Sequence, residues 1–392
     1  MERRGSLIPD MKHRSHQLFL AGLTALLCSA LLPVLAQTDT LGTWQGGDPA
    51  PPAAAPAGLT VSHEDWFVSS TNQAATGRGA LGKNLNAVRF LGEQFGVAAG
   101  QCGAYRTRDG GLTWTRLRGP ETPGYDHLLV TSRSDYWVTT QHHPGGQPGW
   151  GRLLRSRDGG ETWEEVLAGR LWYSPLLVAA GVGWLWAVSY QGPSFQSTDG
   201  GESWEPLTLP SLPRLRDGCV VGNGSPGDWA AYLVGWSPGS NAGVVLKSTD
   251  RGQSWQTLAL PAGTPPLARG FFLDQKRGWV AGEGVLLATE DGGETWEARA
   301  TPSPRQVVSA LLFFQNGCGW MAYYQPFDGI GRLLFAHTLY STRDGGRSWR
   351  PVLSGYKSVQ ALWSDGPGAC CAVGNTPGFT SNDLVALWNG RW

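Results

Sequence analysis

The side chains best suited to chemistry in this chain recur as one short unit. Residues 197–204 read Ser-Thr-Asp-Gly-Gly-Glu-Ser-Trp, which sets Asp199 two residues after one hydroxyl and four before another. A carboxylate in a glycine-rich turn can serve as a general acid or base, or help to hold a cation. The unit occurs six times, however, on Asp109, Asp158, Asp199, Asp250, Asp291 and Asp344. The separations are 49, 41, 51, 41 and 53 residues, a mean period of 47. A catalytic acid has no reason to recur six times at one period, so the unit reads as a repeated turn. Each aspartate is expected to accept hydrogen bonds from backbone N–H groups of its own turn. The second glycine is present in all six copies, whereas Arg251 replaces the first in one. The second position is therefore expected to need positive φ. Trp114, Trp163, Trp204, Trp255, Trp296 and Trp349 close the six units. Each is expected to anchor its hairpin in the core, a burial worth about 2–3 kcal/mol.

A period near 47 matches one four-stranded propeller blade. Around the first unit, residues 85–91, 95–99 and 104–108 suit strands a, b and c, and 114–118 begins strand d. Helical periodicity is absent beyond the first 36 residues. Residues 59–392 divide into about seven such periods, which predicts an all-β, seven-bladed propeller. The last unit, 357–392, stops before its strand d. The run 59–69 (LTVSHEDWFVS) is expected to supply that strand and close the ring, removing an open edge.

In such a blade the c–d turns lie on one face, and the b–c turns and d–a crossovers on the other. Blades two, four and six carry longer b–c connections, judged by the distance from the strand-b aromatic to the repeated aspartate. They hold His142, His143, Gln147 and Trp150; Trp236 and Asn241; and Tyr323, Tyr324, Phe327 and Asp328. Aromatics beside adaptable polar groups suit contact with a protein or carbohydrate, and equally suit loops packing over the ring. The crossovers contribute Arg170, Arg214, Arg216, Arg269 and Arg305. These are expected to rim the channel mouth, either solvated or favouring an anionic group such as a carboxylate.

Blade and turn together resemble the Asp-box (bacterial neuraminidase repeat) propellers. The cadence is most similar to the photosystem II stability/assembly factor-like family, on Phe90…Phe95-Gly96…Gly100 with Thr107…Trp114, and Phe272…Gly278-Trp279…Gly282 with Thr289…Trp296. That resemblance implies an exported, non-catalytic protein that binds or assembles a protein partner such as a membrane complex. Related propellers include sialidases and xyloglucan hydrolases, so the alternative is a glycoside hydrolase or a polysaccharide-binding propeller. No Arg-Ile-Pro segment precedes the repeats and no Tyr/Glu pair can be placed as a sialidase would require. A carboxylate pair of Asp328 with Asp126 or Asp135 has no support from spacing. The adjacent His142 and His143 lack a third ligand, and no cofactor or metal is expected.

Composition agrees with a packed, turn-rich chain: 56 Gly, 26 Pro, 20 Trp and 41% apolar residues among 392. Thirty-one basic side chains balance 31 acidic ones, which gives no footprint for nucleic acid. Residues 1–36 combine Arg3, Arg4, Lys12 and Arg14 with an apolar run, Leu18–Leu35, and read as a signal peptide or an uncleaved anchor. The Ala/Pro/Gly-rich stretch 37–58 reads as a linker. Export places the protein in a secreted, periplasmic or other extracytoplasmic location, as a monomer with membrane contact only through an uncleaved N-terminal segment. Cys102, Cys219, Cys318, Cys370 and Cys371 would remain after cleavage. Export permits disulfides among them, although buried free thiols in strands suit their wide spacing.

Overall fold

The computed structural model describes residues 66–70, 85–101, 103–111, 113–119, 124–142, 150–172, 176–181, 183–190, 192–210, 213–225, 227–324, 337–354, 358–366, 369–375 and 383–388. The expected signal segment 1–36, linker 37–58, residues 59–65, Cys102, His143, Gln147, Phe327 and Asp328 lie outside these.

Strand β1 (Trp66–Ser70) precedes six blades of consecutive strands. Blade one is β2 (Leu85–Leu91), β3 (Phe95–Gly100), β4 (Gly103–Thr107) and β5 (Thr115–Arg116). Blade two is β6 (His127–Val130), β7 (Tyr136–His142), β8 (Trp150–Ser156) and β9 (Glu164–Trp172). Blade three is β10 (Leu176–Gly181), β11 (Trp184–Val188), β12 (Ser194–Ser197) and β13 (Glu205–Leu207). Blade four is β14 (Arg214–Ser225), β15 (Asp228–Trp236), β16 (Gly243–Ser248) and β17 (Gln256–Thr257). Blade five is β18 (Leu267–Phe272), β19 (Gly278–Gly282), β20 (Val285–Thr289) and β21 (Glu297–Ala298). Blade six is β22 (Val308–Phe313), β23 (Gly319–Tyr323), β24 (His337–Thr342) and β25 (Arg350–Ser354). Each is an antiparallel sheet in chain order.

The remaining strands, β26 (Ser358–Gly366), β27 (Ala369–Asn375) and β28 (Asp383–Trp388), form a composite sheet with β1, which pairs antiparallel with β28 and sets Trp66 opposite Trp388. The count of seven equivalent blades is corrected accordingly. Six blades arise from the repeat, and the last sheet lacks the repeated turn and borrows a strand from the other end of the chain. Of the expected run 59–69, residues 66–69 fall within this strand. Inner strands of successive sheets touch one another, β26 also touches β2, and the apolar clusters lie between neighbouring sheets.

The repeated turns do more than close hairpins. The first and second glycines both have positive φ in every copy, from 70° to 78° at the glycines of the first position and from 83° to 94° at the second. Arg251 adopts φ 61° where it replaces the first. What sets the second position apart is therefore an apolar side chain of the preceding blade lying against it; at the first, Gly200 is open while a Cβ on Gly292 would meet Gln275 O at 2.5 Å. A Cβ on Gly201 would meet the Trp137 ring at 2.2 Å, one on Gly160 would meet Leu117 at 2.6 Å, and one on Gly252 would meet Trp186 at 2.8 Å. Gly293 faces Leu258 at 2.3 Å and Gly346 faces Leu286 at 3.1 Å. In each case the neighbour belongs to the preceding blade. A Cβ on Gly200 would meet nothing within 4 Å.

The indoles are less deep than the core role predicts. Trp114 is buried, while Trp163, Trp204, Trp255, Trp296 and Trp349 are half-buried. Trp163 stacks on Tyr125, and the other four meet aromatic side chains edge-on, as Trp255 does with Trp186 at 5.2 Å between centroids. Cys219, Cys318 and Cys371 are buried free thiols.

The two glycines should respond differently to a methyl group. Gly201→Ala combines strained φ with a collision against a buried ring and should cost about 3 kcal/mol or more. Gly200→Ala should cost about 1 kcal/mol. Urea denaturation of both variants measures this, and equal losses would contradict the packing explanation.

Candidate functional site

Each repeated aspartate is consumed by its own turn. Asp199 accepts the Ser203 amide at 2.9 Å, the Ser203 hydroxyl at 2.5 Å, the Glu202 amide at 3.0 Å and the Ser197 hydroxyl at 2.8 Å. Ser197 in turn accepts the Gly201 amide at 2.8 Å. The Ser203 hydroxyl and amide, with the Ser197 hydroxyl, hold Asp199 well below the usual carboxylate range. The same pattern recurs at Asp109, Asp158, Asp250, Asp291 and Asp344. The turns also tie blades together. Arg155 and Arg157 reach Glu202 at 3.0 and 2.6 Å, Lys247 donates to Gly292 O at 2.9 Å, and Trp349 donates to Ala300 O at 2.9 Å. This face is committed to architecture. Asp135, weighed above as half of an acid pair, belongs to it, paired with Arg155 at 2.8 Å.

The opposite face carries the predicted binding residues, and the structure sorts them. The long connection of blade four is largely absorbed by longer strands. β15 has nine residues and continues to Trp236, leaving the turn 237–242, in which Ser237 N–H donates to Ala242 O at 2.9 Å. Asn241 is exposed in that turn with φ 55°. In blade two, His142 pairs with Trp150 and Trp150 with Trp172, so β7, β8 and β9 all extend. Tyr323 is fully buried against Tyr340 and is a packing residue, while Tyr324 is half-buried.

The five arginines do not share one rim. Arg170 and Arg305 are exposed in separate blades. Arg269 is only 1% exposed and donates from Nε to Ser309 O at 2.6 Å. Arg214 and Arg216, at the start of β14, converge with Trp236 and with Tyr190, which follows β11 of the preceding blade. The Arg216 guanidinium lies 4.7 Å from the Trp236 centroid and 5.5 Å from that of Tyr190. Arg214 lies 5.6 Å from Tyr190, and the two rings meet edge-on at 5.5 Å. Sequence reasoning missed Tyr190, whose one signal was its position just after strand b of blade three.

Arg269 belongs to a second feature that was not foreseen. Register shifts on the inner strands fall at Asn86, Arg216, Ala268, Ser309 and Gln360. A bulge adds an unpaired residue and turns side chains out of the ladder. Polar groups follow at buried positions and link the inner strands. Asn86 donates to Tyr125 O at 2.9 Å, Asp217 accepts Gly270 N–H at 3.0 Å, and Ser309 donates to Val359 O at 2.5 Å. His127 feels the charge of Arg269, and Asp217 that of Arg89, each from a strand three blades away. Burial, reinforced by Arg269, pushes His127 down to about 3. Burial pushes Asp217 up to about 6 against the pull of Arg269, two amides and Arg89.

Class can be stated at this point: the chain is an all-β propeller. No protein-family profile and no curated protein matches it. It is similar to the solved structure of YCF48 bound to D1 peptide, at 17% identity and TM-score 0.60, covering 84% of this chain and 97% of that one. YCF48 from Cyanidioschyzon merolae is similar at 17% identity and TM-score 0.58, covering 83% and 99%. The GH74 xyloglucanase from Xanthomonas campestris is similar at 16% identity and TM-score 0.57, covering 80% of this chain and 53% of that one. Likeness at these identities shows the fold alone.

The two buried titrations should offset one another. Below its ordinary 6.5 the unfolded chain protonates His127 and the folded chain does not, so stability falls with falling pH. Between 3.8 and about 6 the folded chain protonates Asp217 and the unfolded chain does not, so stability rises with falling pH. Each slope is about 1.4 kcal/mol per pH unit. Between pH 4.5 and 6, Asp217→Asn should therefore lose about 2 kcal/mol on acidification and His127→Asn should gain about as much. Denaturant titrations across that window test this, and parallel profiles in the two variants would contradict it.

Proposed function

We propose that this chain is an exported, non-catalytic propeller that binds a protein partner through the face bearing the b–c turns and d–a crossovers. The observation that carries this reading is the contrast between the faces. The repeated carboxylates on one face are saturated by their own turns. The other face gathers Tyr190, Arg214, Arg216 and Trp236 from two blades. Aromatic and arginine side chains are the types that dominate protein interfaces. A similar propeller has been solved as YCF48 bound to D1 peptide, which supports a polypeptide as the partner class.

Under this reading residues 1–36 direct export to a secreted or periplasmic location and 37–58 tether the propeller. The six repeated turns are Asp-boxes. The composite sheet serves as a seventh blade, with β1 and β28 holding the two ends of the ring together.

Capture from an extract of the native envelope tests the reading. Wild type and Arg157→Gln, altered on the turn face, should retain the same partner. A Tyr190→Ala/Arg214→Gln double variant should lose it. Equal capture by the double variant would overturn the face assignment, and turnover of xyloglucan or a sialoside by wild type would overturn the non-catalytic reading.

A further inference from the structure

Polar side chains at the inner-strand bulges link successive sheets around the axis. Asn86 of β2 donates to Tyr125 O in blade two, and Ser309 of β22 donates to Val359 O in the composite sheet. Asp217 accepts Gly270 N–H across the junction of blades four and five, and Arg269 donates to Ser309 O across that of five and six. Gln360 stands at the same bulge position of β26, for which the next inner strand is β2 of blade one. There the link is not made. Gln360 is 1% exposed, and neither its Oε1 nor its Nε2 has a hydrogen-bond partner. On β2, Asn86 Oδ1 is buried without a partner as well. Three unsatisfied amide atoms therefore lie on the two inner strands that meet at this junction. An amide atom buried in that way is costly, and water relieves the cost as soon as the site opens.

Apolar packing holds the junction instead. Ala361 and Cys371 share one cluster with Ala87 and Val88, and Phe90 meets Trp363 at 4.9 Å between ring centroids. His127 is also buried with both ring nitrogens unpartnered, beside blade three. That junction is closed from the turn face by Gly201 against Trp137 and by Arg155 and Arg157 on Glu202. The composite sheet and blade one differ in their connection too. The chain joins them through residues 71–84, which leave from β1, the strand furthest from β26.

We propose that the ring opens at the junction of β26 with β2, in a local motion that parts the composite sheet from blade one while the other junctions stay closed. Opening hydrates Gln360 and Asn86 and gives solvent a route to the polar groups of the axis. The pairing of β1 with β28 lies within the composite sheet and survives the motion.

Two native thiols report on it. Cys371 is buried in the cluster at this junction, and Cys219 is buried in the cluster joining blades four and five. Burial pushes both thiols up, so neither reacts while its junction is closed. Cys370→Ser in the full chain removes the adjacent thiol. Iodoacetamide in native buffer, read by peptide mass spectrometry, should modify Cys371 faster than Cys219 by about tenfold or more. The Cys371 rate should change little in low urea, whereas the Cys219 rate should rise with the slope of global unfolding. Equal rates with equal urea slopes would overturn the proposal.

Two variants test the cause. Gln360→Leu replaces the unpartnered amide with an apolar group of similar size. It should slow Cys371 by about tenfold and melt no lower than wild type. An unchanged or faster Cys371 rate would overturn the proposal. Ser309→Ala cuts a link at a junction that stays closed, so it should speed Cys219 and leave Cys371 as it is. A parallel rise at both thiols would overturn the proposal as well.

Discussion

In each repeated turn one carboxylate gathers the amide and hydroxyl of the residue four positions on, and in the turns of blades two to six the glycine between them lies against a side chain of the preceding blade. The contact at Gly201 leaves no room for a methyl group before the Trp137 ring. Only a backbone bent to positive φ by two successive residues, and bare at the second, can bring the turn that close. The hairpin bonds and the inter-blade packing are therefore one device. Ion pairs such as Arg157–Glu202 and backbone bonds such as Trp163 Nε1 to Arg118 O follow the same seam.

That device determines what each face can do. A carboxylate holding two amides and two hydroxyls has little capacity left for a ligand or a proton, and its lowered pKa records the same fact. The opposite face is built from strand ends whose lengths vary between blades, so side chains can be added there without disturbing the seam. Bulges on the inner strands do a related job at the axis. They turn polar groups inward, where Asp217 and Arg269 bond to the backbone of adjacent inner strands. The composite sheet solves the separate problem of joining the chain ends, by pairing β1 with β28.

The turn unit, its period and the strand order of a blade were legible because they are local: hydroxyl, aspartate, glycine and indole occur within eight residues. The difference between the two glycines was only half legible. One arginine substitution showed that the first position is permissive, but both positions have positive φ, and the distinguishing contact comes from another blade. Burial at the strand ends was not legible. Trp236 and Tyr323 read as loop aromatics because length was assigned to the b–c connection, whereas in blade four the strands lengthen and Trp236 lies within β15. Tyr190 is separated from Arg214 by 24 residues, and no spacing rule links them. The His127–Arg269 and Asp217–Arg89 relations cross the ring, so only the closed fold reveals them.

The central claim is a division of labour between the faces: one holds the ring together and the other recognises a partner. The most direct measurement is a paired determination of melting temperature and partner affinity for Asp199→Ala and Arg214→Gln. The account predicts that Asp199→Ala lowers the melting temperature while folded molecules keep full affinity. It predicts that Arg214→Gln melts as wild type does and loses affinity. The reverse pattern, with binding lost in a stable Asp199→Ala protein and kept in Arg214→Gln, would contradict it.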